Sequence, residues 1–199
     1  MNLQQAPRHL VVFSGKGGVG KSTLSAALAQ ISGSTLIDCD PQLTSTDWGD
    51  RRTGEPSVIS AQLGRIPTLL QQHERTVTDT PGALIGNILT ALQSADLILL
   101  VTNDHQPELD ALPSSIELAQ ASGTPVAVVI NKVHPFTDAA PLREFIGSMG
   151  VSVSPVVIRE RSQHYKAWAE GLTAVEYAPE SPAADEIRAL WTWLEQTHG

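Results

Sequence analysis

Short β-branched apolar runs alternate along the chain with longer segments in which apolar residues recur at helical spacing. The runs predict strands at His9–Ser14, Thr35–Cys39, Ser57–Ser60, Thr76–Asp79, Asp96–Thr102, Pro125–Asn131 and Val151–Ile158. The helical period predicts helices at Lys21–Ser32, Ile66–Gln72, Leu84–Ser94, Glu108–Ala121, Asp138–Met149, Ser162–Glu170 and Pro182–Gln196. Pro107 and Pro182 suit first helical turns, and Gly123 and Gly171 suit helix ends. Such alternation implies an α/β fold class, a mostly parallel twisted sheet with helices on both faces. The stretch Pro41–Pro56 has little apolar periodicity and reads as a mobile functional connection.

A length of 199 residues fits a single domain over 1–199, with Met1–Pro7 as a loose N-terminal tail. An apolar content of 41% is that of a soluble globular chain. The longest apolar runs, Leu97–Val101 and Val126–Ile130, are too short to span a membrane. The first residues carry neither the basic region nor the apolar stretch of a secretory signal, so a cytoplasmic location is expected. Cys39, the single cysteine, excludes an internal disulfide and a cysteine-built metal site within one chain. It fits a small buried residue or a bridge between two copies. A net charge of -8 confines any contact with nucleic acid to a local basic patch.

The chemistry is concentrated at Gly15-Lys16-Gly17-Gly18-Val19-Gly20-Lys21-Ser22-Thr23, which stands where the first strand gives way to the first helix. It matches the P-loop pattern in both sequence and context. Glycines let the backbone curl so that its N–H groups point at phosphate oxygens, and the new helix adds its positive dipole end. Lys21 would neutralise the β- and γ-phosphates, and the Ser22 hydroxyl would ligate Mg²⁺. Asp79, closing an apolar strand in Thr78-Asp79-Thr80-Pro81-Gly82, suits a water-mediated hold on the same ion or the start of a turn.

With its second lysine, Lys16, the loop resembles that of the ParA/MinD family of deviant Walker A P-loop ATPases. The resemblance extends to Leu36-Ile37-Asp38-Cys39-Asp40-Pro41-Gln42, to Trp48 and Arg51, and to Ile130-Asn131-Lys132. It continues through Ile158–Arg161, Tyr165, Trp168, Gly171–Leu172, Val175–Tyr177 and Ala183–Ile187, as in small ParA proteins of the partition type. It implies an ATP hydrolase using ATP and Mg²⁺, slow and stimulated by a partner. Lys16 would reach across a nucleotide-sandwich homodimer to the other subunit's phosphates, acting much as an arginine finger does. Asp40 would orient the attacking water, Asp38 would support the Mg²⁺ shell or a switch loop, and Asn131 would meet the adenine edge.

Missing features separate the relatives. Iron-sulfur carriers of this family need cysteine pairs, and its tyrosine kinases need a tyrosine cluster; the chain has one cysteine and two tyrosines. MinD-like proteins carry a basic amphipathic C-terminal helix, whereas Arg188 is the only cation of Glu186–Glu195, so docking on the sheet is the expected role and a membrane partner is not. With the first strand near residue 9 there is no room for the helix-turn-helix domain of longer relatives. What remains is cargo positioning on the nucleoid: an ATP-bound dimer holds DNA without sequence preference, and a ParB-like or other cargo adaptor triggers release. The cargo would be a plasmid, a chromosome origin or a protein body such as a carboxysome or chemotaxis cluster. Arg143, Arg159, Arg161, Lys166 and Arg188 are the candidate phosphate contacts. The alternative is a MinD-like switch that recruits partners to a membrane or complex.

Overall fold

The computed structural model describes residues 6–82 and 87–198. Strands β1 (His9–Phe13), β2 (Thr35–Asp38), β3 (Val58–Ser60), β4 (Thr76–Asp79), β5 (Leu97–Thr102), β6 (Val126–Ile130) and β7 (Ser152–Val153) form a seven-stranded sheet among the described residues, in the order β3-β2-β4-β1-β5-β6-β7. All neighbours run parallel. Alternate residues of β1 serve opposite faces: Leu10 and Val12 join one core, Val11 and Phe13 the other. Strands buried on both faces need this continuous apolar character, and it made them legible as runs.

The helices are α1 (Lys21–Ser32), α2 (Thr44–Gly49), α3 (Ile66–Gln72), α4 (Ile88–Ser94), α5 (Gln106–Ala121), α6 (Ala140–Gly147), α7 (Ser162–Ala169), α8 (Ala174–Tyr177) and α9 (Pro182–His198). Helix α1 ends on Gly33 with φ 66, a left-handed conformation that glycine adopts freely. The apolar face of α9, with Ile187, Leu190, Trp191 and Leu194, is buried in the same core as α1. The first part of the helix expected at Leu84–Ser94 lies outside the described residues.

Three expectations are corrected. Pro41–Pro56 is not a loose connection. It contains α2, whose Trp48 is fully buried. Six residues are too few to display a period, and the helix is capped from elsewhere: Leu43 at its N-cap offers no side-chain oxygen, while the Asp38 carboxylate of β2 accepts from the Thr46 N–H at 2.8 Å and the Thr46 hydroxyl at 2.9 Å. The last strand is shorter than Val151–Ile158, because the next ladder donor, the Val156 N–H, is given to the Ser154 hydroxyl at 3.0 Å. The backbone still follows β6, through Ser154 N–H to Val128 O and Ile158 N–H to Ile130 O. Of the expected tail, Ala6 packs on the core and Pro7 is buried, so both belong to the folded body.

A clasp ties α2 to the turn between α7 and α8. Trp48 stacks on Trp168 with centroids 5.5 Å apart and donates its indole N–H to Leu172 O. Arg52 lies 4.7 Å over the Trp48 ring and pairs with Glu176 at 2.8 Å, its side chain only 4% exposed. Burial alone would raise the Glu176 carboxyl, but hydrogen bonds from Arg52 and the Thr173 backbone, with the Arg52 charge, hold it below its ordinary value. Gly171 has no room for a side chain, since a Cβ there would sit 2.7 Å from the Arg51 carbonyl carbon. Arg52→Ala leaves Glu176 without its buried cation and is expected to lower unfolding stability by about 3 kcal/mol in denaturant titrations. A loss well under about 1 kcal/mol would mean that the pair behaves as an ordinary surface bridge.

Candidate functional site

Parallel register determines where the candidate residues meet. Val12 pairs with Asp79 and Asp38 pairs with Asp79, so both aspartates and the exit of β1 into Ser14 lie at one end of three adjacent strands. From there the chain turns through Gly18 (φ 85) and Gly20 (φ 89) into α1. The loop is therefore backed by two buried carboxylates and opens into a helix N-terminus, an arrangement suited to phosphate.

Lys21 is buried, and its ammonium donates to Lys16 O at 3.3 Å. Burial lowers its pKa, while the charges of Asp79 and Asp40 pull the other way. Lys16 is exposed, and its ammonium has no hydrogen-bond or ion-pair partner among the described residues. Only its backbone N–H bonds locally, to the Ser14 hydroxyl at 3.3 Å.

Asp79 is fully buried. Ser45 of α2 donates to its Oδ2 at 2.8 Å, while Oδ1 has no hydrogen-bond partner among the described residues. Burial pushes its carboxyl up to about 6; the Ser22 and Ser45 hydroxyls and the Lys21 charge oppose this, and the Asp38 charge adds to it. Asp38 is different. Its Oδ1 accepts from Asp40 N–H at 3.0 Å and its Oδ2 from the Thr46 N–H and hydroxyl, which ties it to the loop that carries Asp40. Asp40 is half-buried and accepts from Gln42 N–H at 2.9 Å. The Cys39 thiol, buried between these carboxylates, is pushed up to about 12 by burial first and then by Asp38 and Asp79, which fits an inert small residue rather than a bridge.

Beside the loop lies a cavity of about 270 Å³ whose walls include Gly20, Thr23, Asn131, Arg161 and Trp168. Asn131, expected at a base edge, lines it but donates its amide N–H to Val19 O at 2.7 Å. The candidate DNA contacts do not converge here as free cations. Arg161 pairs with the part-buried Glu186 at 2.6 Å, and Arg188 makes an exposed bridge to Asp185 at 3.2 Å. Arg143 donates to Pro155 O, and Arg159 to the carbonyls of His134 and Thr137, so both keep their charge. Lys166 is exposed.

Several residues of the site carried no individual signal in the sequence. Ser45 and Thr46 sit in a segment without periodicity, and only the fold brings them to Asp79 and Asp38. Thr80 donates its hydroxyl to Val12 O, fixing the turn after β4. Gly82 then touches the loop: a Cβ there would come within 2.6 Å of Gly17 Cα. No local pattern in the sequence announces this contact.

Residues 10–174 match the family described as the CobQ/CobB/MinD/ParA nucleotide binding domain. The maintenance of carboxysome distribution protein A of Gloeobacter kilaueensis is 32% identical over 185 residues, covering 86% of this chain and 85% of that protein. Among solved structures, apo McdA of Cyanothece superposes with a TM-score of 0.78 at 16% identity, over 94% of this chain and 99% of its own. MinD of Pyrococcus horikoshii, solved with Mg-ADP, gives 0.73 at 19% identity over 96% and 97%. At these identities the structural likeness concerns the fold.

The Asp79 pKa has a measurable consequence for the ligand-free chain. Because the folded value, about 6, lies above the ordinary 3.8, the native state keeps a proton that the unfolded chain has lost. The resulting stabilisation is complete below the ordinary value and disappears as pH rises through about 6. Thermal melts should therefore show wild type losing roughly 2–3 kcal/mol relative to Asp79→Asn between about pH 4 and pH 7. Parallel curves for the two proteins would show that Asp79 does not titrate in this range.

Proposed function

The chain belongs to the CobQ/CobB/MinD/ParA nucleotide-binding family, and from that membership we propose that it is a Mg²⁺-dependent ATP hydrolase that dimerises around ATP, holds DNA without sequence preference and positions a cargo upon it. The observation that carries this reading is the pairing of two lysines with opposite surroundings. Lys21 is buried inside the loop, where it would neutralise the phosphates of its own nucleotide. Lys16 is exposed at the rim with its ammonium unpaired among the described residues, as a group that completes a second subunit's site would be.

Mg²⁺ fits the residues present. It takes few protein ligands, keeps several waters and binds mainly through phosphate oxygens. Asp79, whose carboxyl lies within reach of the Ser22 hydroxyl and whose Oδ1 is unpartnered among the described residues, offers the expected acceptor for its water shell. When bound, the ion would neutralise charge on the phosphates. Asp38 holds Asp40 and α2 in place through its three hydrogen bonds. Asp40, within electrostatic reach of Lys21, would orient the attacking water from that fixed loop. The base would enter the cavity beside Gly20, with the amide oxygen of Asn131 left to meet the adenine edge.

Among the DNA-contact candidates, Arg143, Arg159, Lys166 and Arg188 would supply the phosphate contacts, because Arg161 is held by the part-buried Glu186 whereas the Arg188 bridge to Asp185 is exposed. The relative whose name describes maintenance of carboxysome distribution supports a protein body, reached through an adaptor that stimulates hydrolysis, as cargo. A MinD-like membrane switch would need an apolar helix face free to meet lipid, and that of α9 is buried. No helix among the described residues is long and apolar enough to cross a membrane. DNA positioning of this kind would put the protein in the cytoplasm on the nucleoid.

A mobility-shift assay with duplex DNA tests the whole reading. Wild type should shift DNA with ATP and not with ADP, and the shift should weaken steeply with salt. Lys16→Ala should stay monomeric and lose the shift. Asp40→Ala should keep both dimer and shift while phosphate release stops. A stable ATP dimer that fails to shift DNA at low salt would overturn DNA positioning and leave the recruitment switch.

A further inference from the structure

The outer face of the loop is gripped by two side chains from the end of β6. Asn131 donates its amide N–H to Val19 O, and the Lys132 ammonium donates to Gly18 O, both at 2.7 Å. Contact is so close that a Cβ on Gly20 would lie 2.6 Å from Asn131 Nδ2 and 3.1 Å from Lys132 Cε. Lys132 is also one of two described non-glycine residues with positive φ, at 56. Its neighbours Asn131 and Val133 are buried and tied to Thr102 O and Ile158 O, so the chain must turn at Lys132 in this less favoured conformation. The turn delivers the ammonium to the loop.

A peptide unit is planar and trans, so its C=O and the following N–H point in opposite directions. With the carbonyls of Gly18 and Val19 held outward, the N–H groups of Val19 and Gly20 are turned to the inner side, where the phosphates would lie. We propose that Lys132, with Asn131, is a positioning residue for phosphate binding: it clamps two peptide planes from outside so that their N–H groups form a ready anion nest. The role presupposes the nucleotide site proposed above. It differs from those of Lys16 and Lys21, because Lys132 acts through the backbone and contacts no phosphate. A preformed nest binds anions without the cost of ordering the loop afterwards.

Lys132→Met keeps the aliphatic stem and removes only the ammonium, and Lys132→Arg restores a donor. Calorimetric titration with ADP and with inorganic pyrophosphate should show affinity falling about tenfold in Lys132→Met, the worth of one charge-assisted hydrogen bond, and recovering to within about threefold in Lys132→Arg. Adenosine, followed by NMR, should bind the Met variant within about twofold of wild type, and the amide signals of Val19 and Gly20 should move in the ligand-free variant. Lys132→Met binding ADP as wild type does would overturn the clamp alone. Equal losses for adenosine and ADP would also overturn it, because Lys132, which lines the cavity beside Gly20, would then act on the base. Wild type that binds neither ADP nor pyrophosphate would overturn the nucleotide site itself. Because Lys132 is exposed, the ligand-free melting temperature of the variant serves as the folding control.

Discussion

Asp38 and Asp79 occupy paired positions on adjacent parallel strands, both fully buried at the same end of the sheet. Loss of water on burial is the main reason for the raised Asp79 pKa, and the neighbouring Asp38 charge adds to it. Much of the site answers this constraint. Helix α2 brings the Ser45 hydroxyl to Asp79 and the Thr46 N–H and hydroxyl to Asp38, while Asp40 N–H supplies a further donor. Satisfying the buried acids thus fixes the loop that carries Asp40. Among the described residues, Asp79 Oδ1 is the oxygen of the two carboxylates that still lacks a donor.

The other end of α2 is fastened as firmly. Trp48 and Arg52 anchor it to the turn between α7 and α8, and Trp168, the stacking partner of Trp48, also forms part of the cavity beside Gly20. One short helix therefore touches both the carboxylate end of the site and the wall of the cavity beside it. Helices of this length are not stable alone. Here the order comes from tertiary contacts at both ends.

Charge follows the same economy of partners. The chain is acidic overall, and much of its C-terminal positive charge is already paired or bonded to carbonyls. Around the loop, three lysines have separate surroundings: Lys21 inside, Lys16 exposed at the rim, and Lys132 outside against a carbonyl. Residue type alone would make them equivalent. Position distinguishes a buried ammonium from an exposed one and from one bonded to a carbonyl.

The alternation of buried strands and amphipathic helices, the glycine-rich loop with its two lysines, and the aspartates closing β2 and β4 are properties of the sequence itself. Each depends on local spacing or on backbone freedom that glycine alone provides, and α1 occupies Lys21–Ser32 as its period predicts. Register was decided only in three dimensions. It set Asp38 against Asp79, gave α2 a cap from another strand, laid Gly82 on Gly17, and turned Asn131 and Lys132 onto the loop. These contacts join residues up to 114 positions apart. No local pattern encodes them, because a hydroxyl, an amide or an ammonium finds its partner only after the sheet has brought the strand ends together.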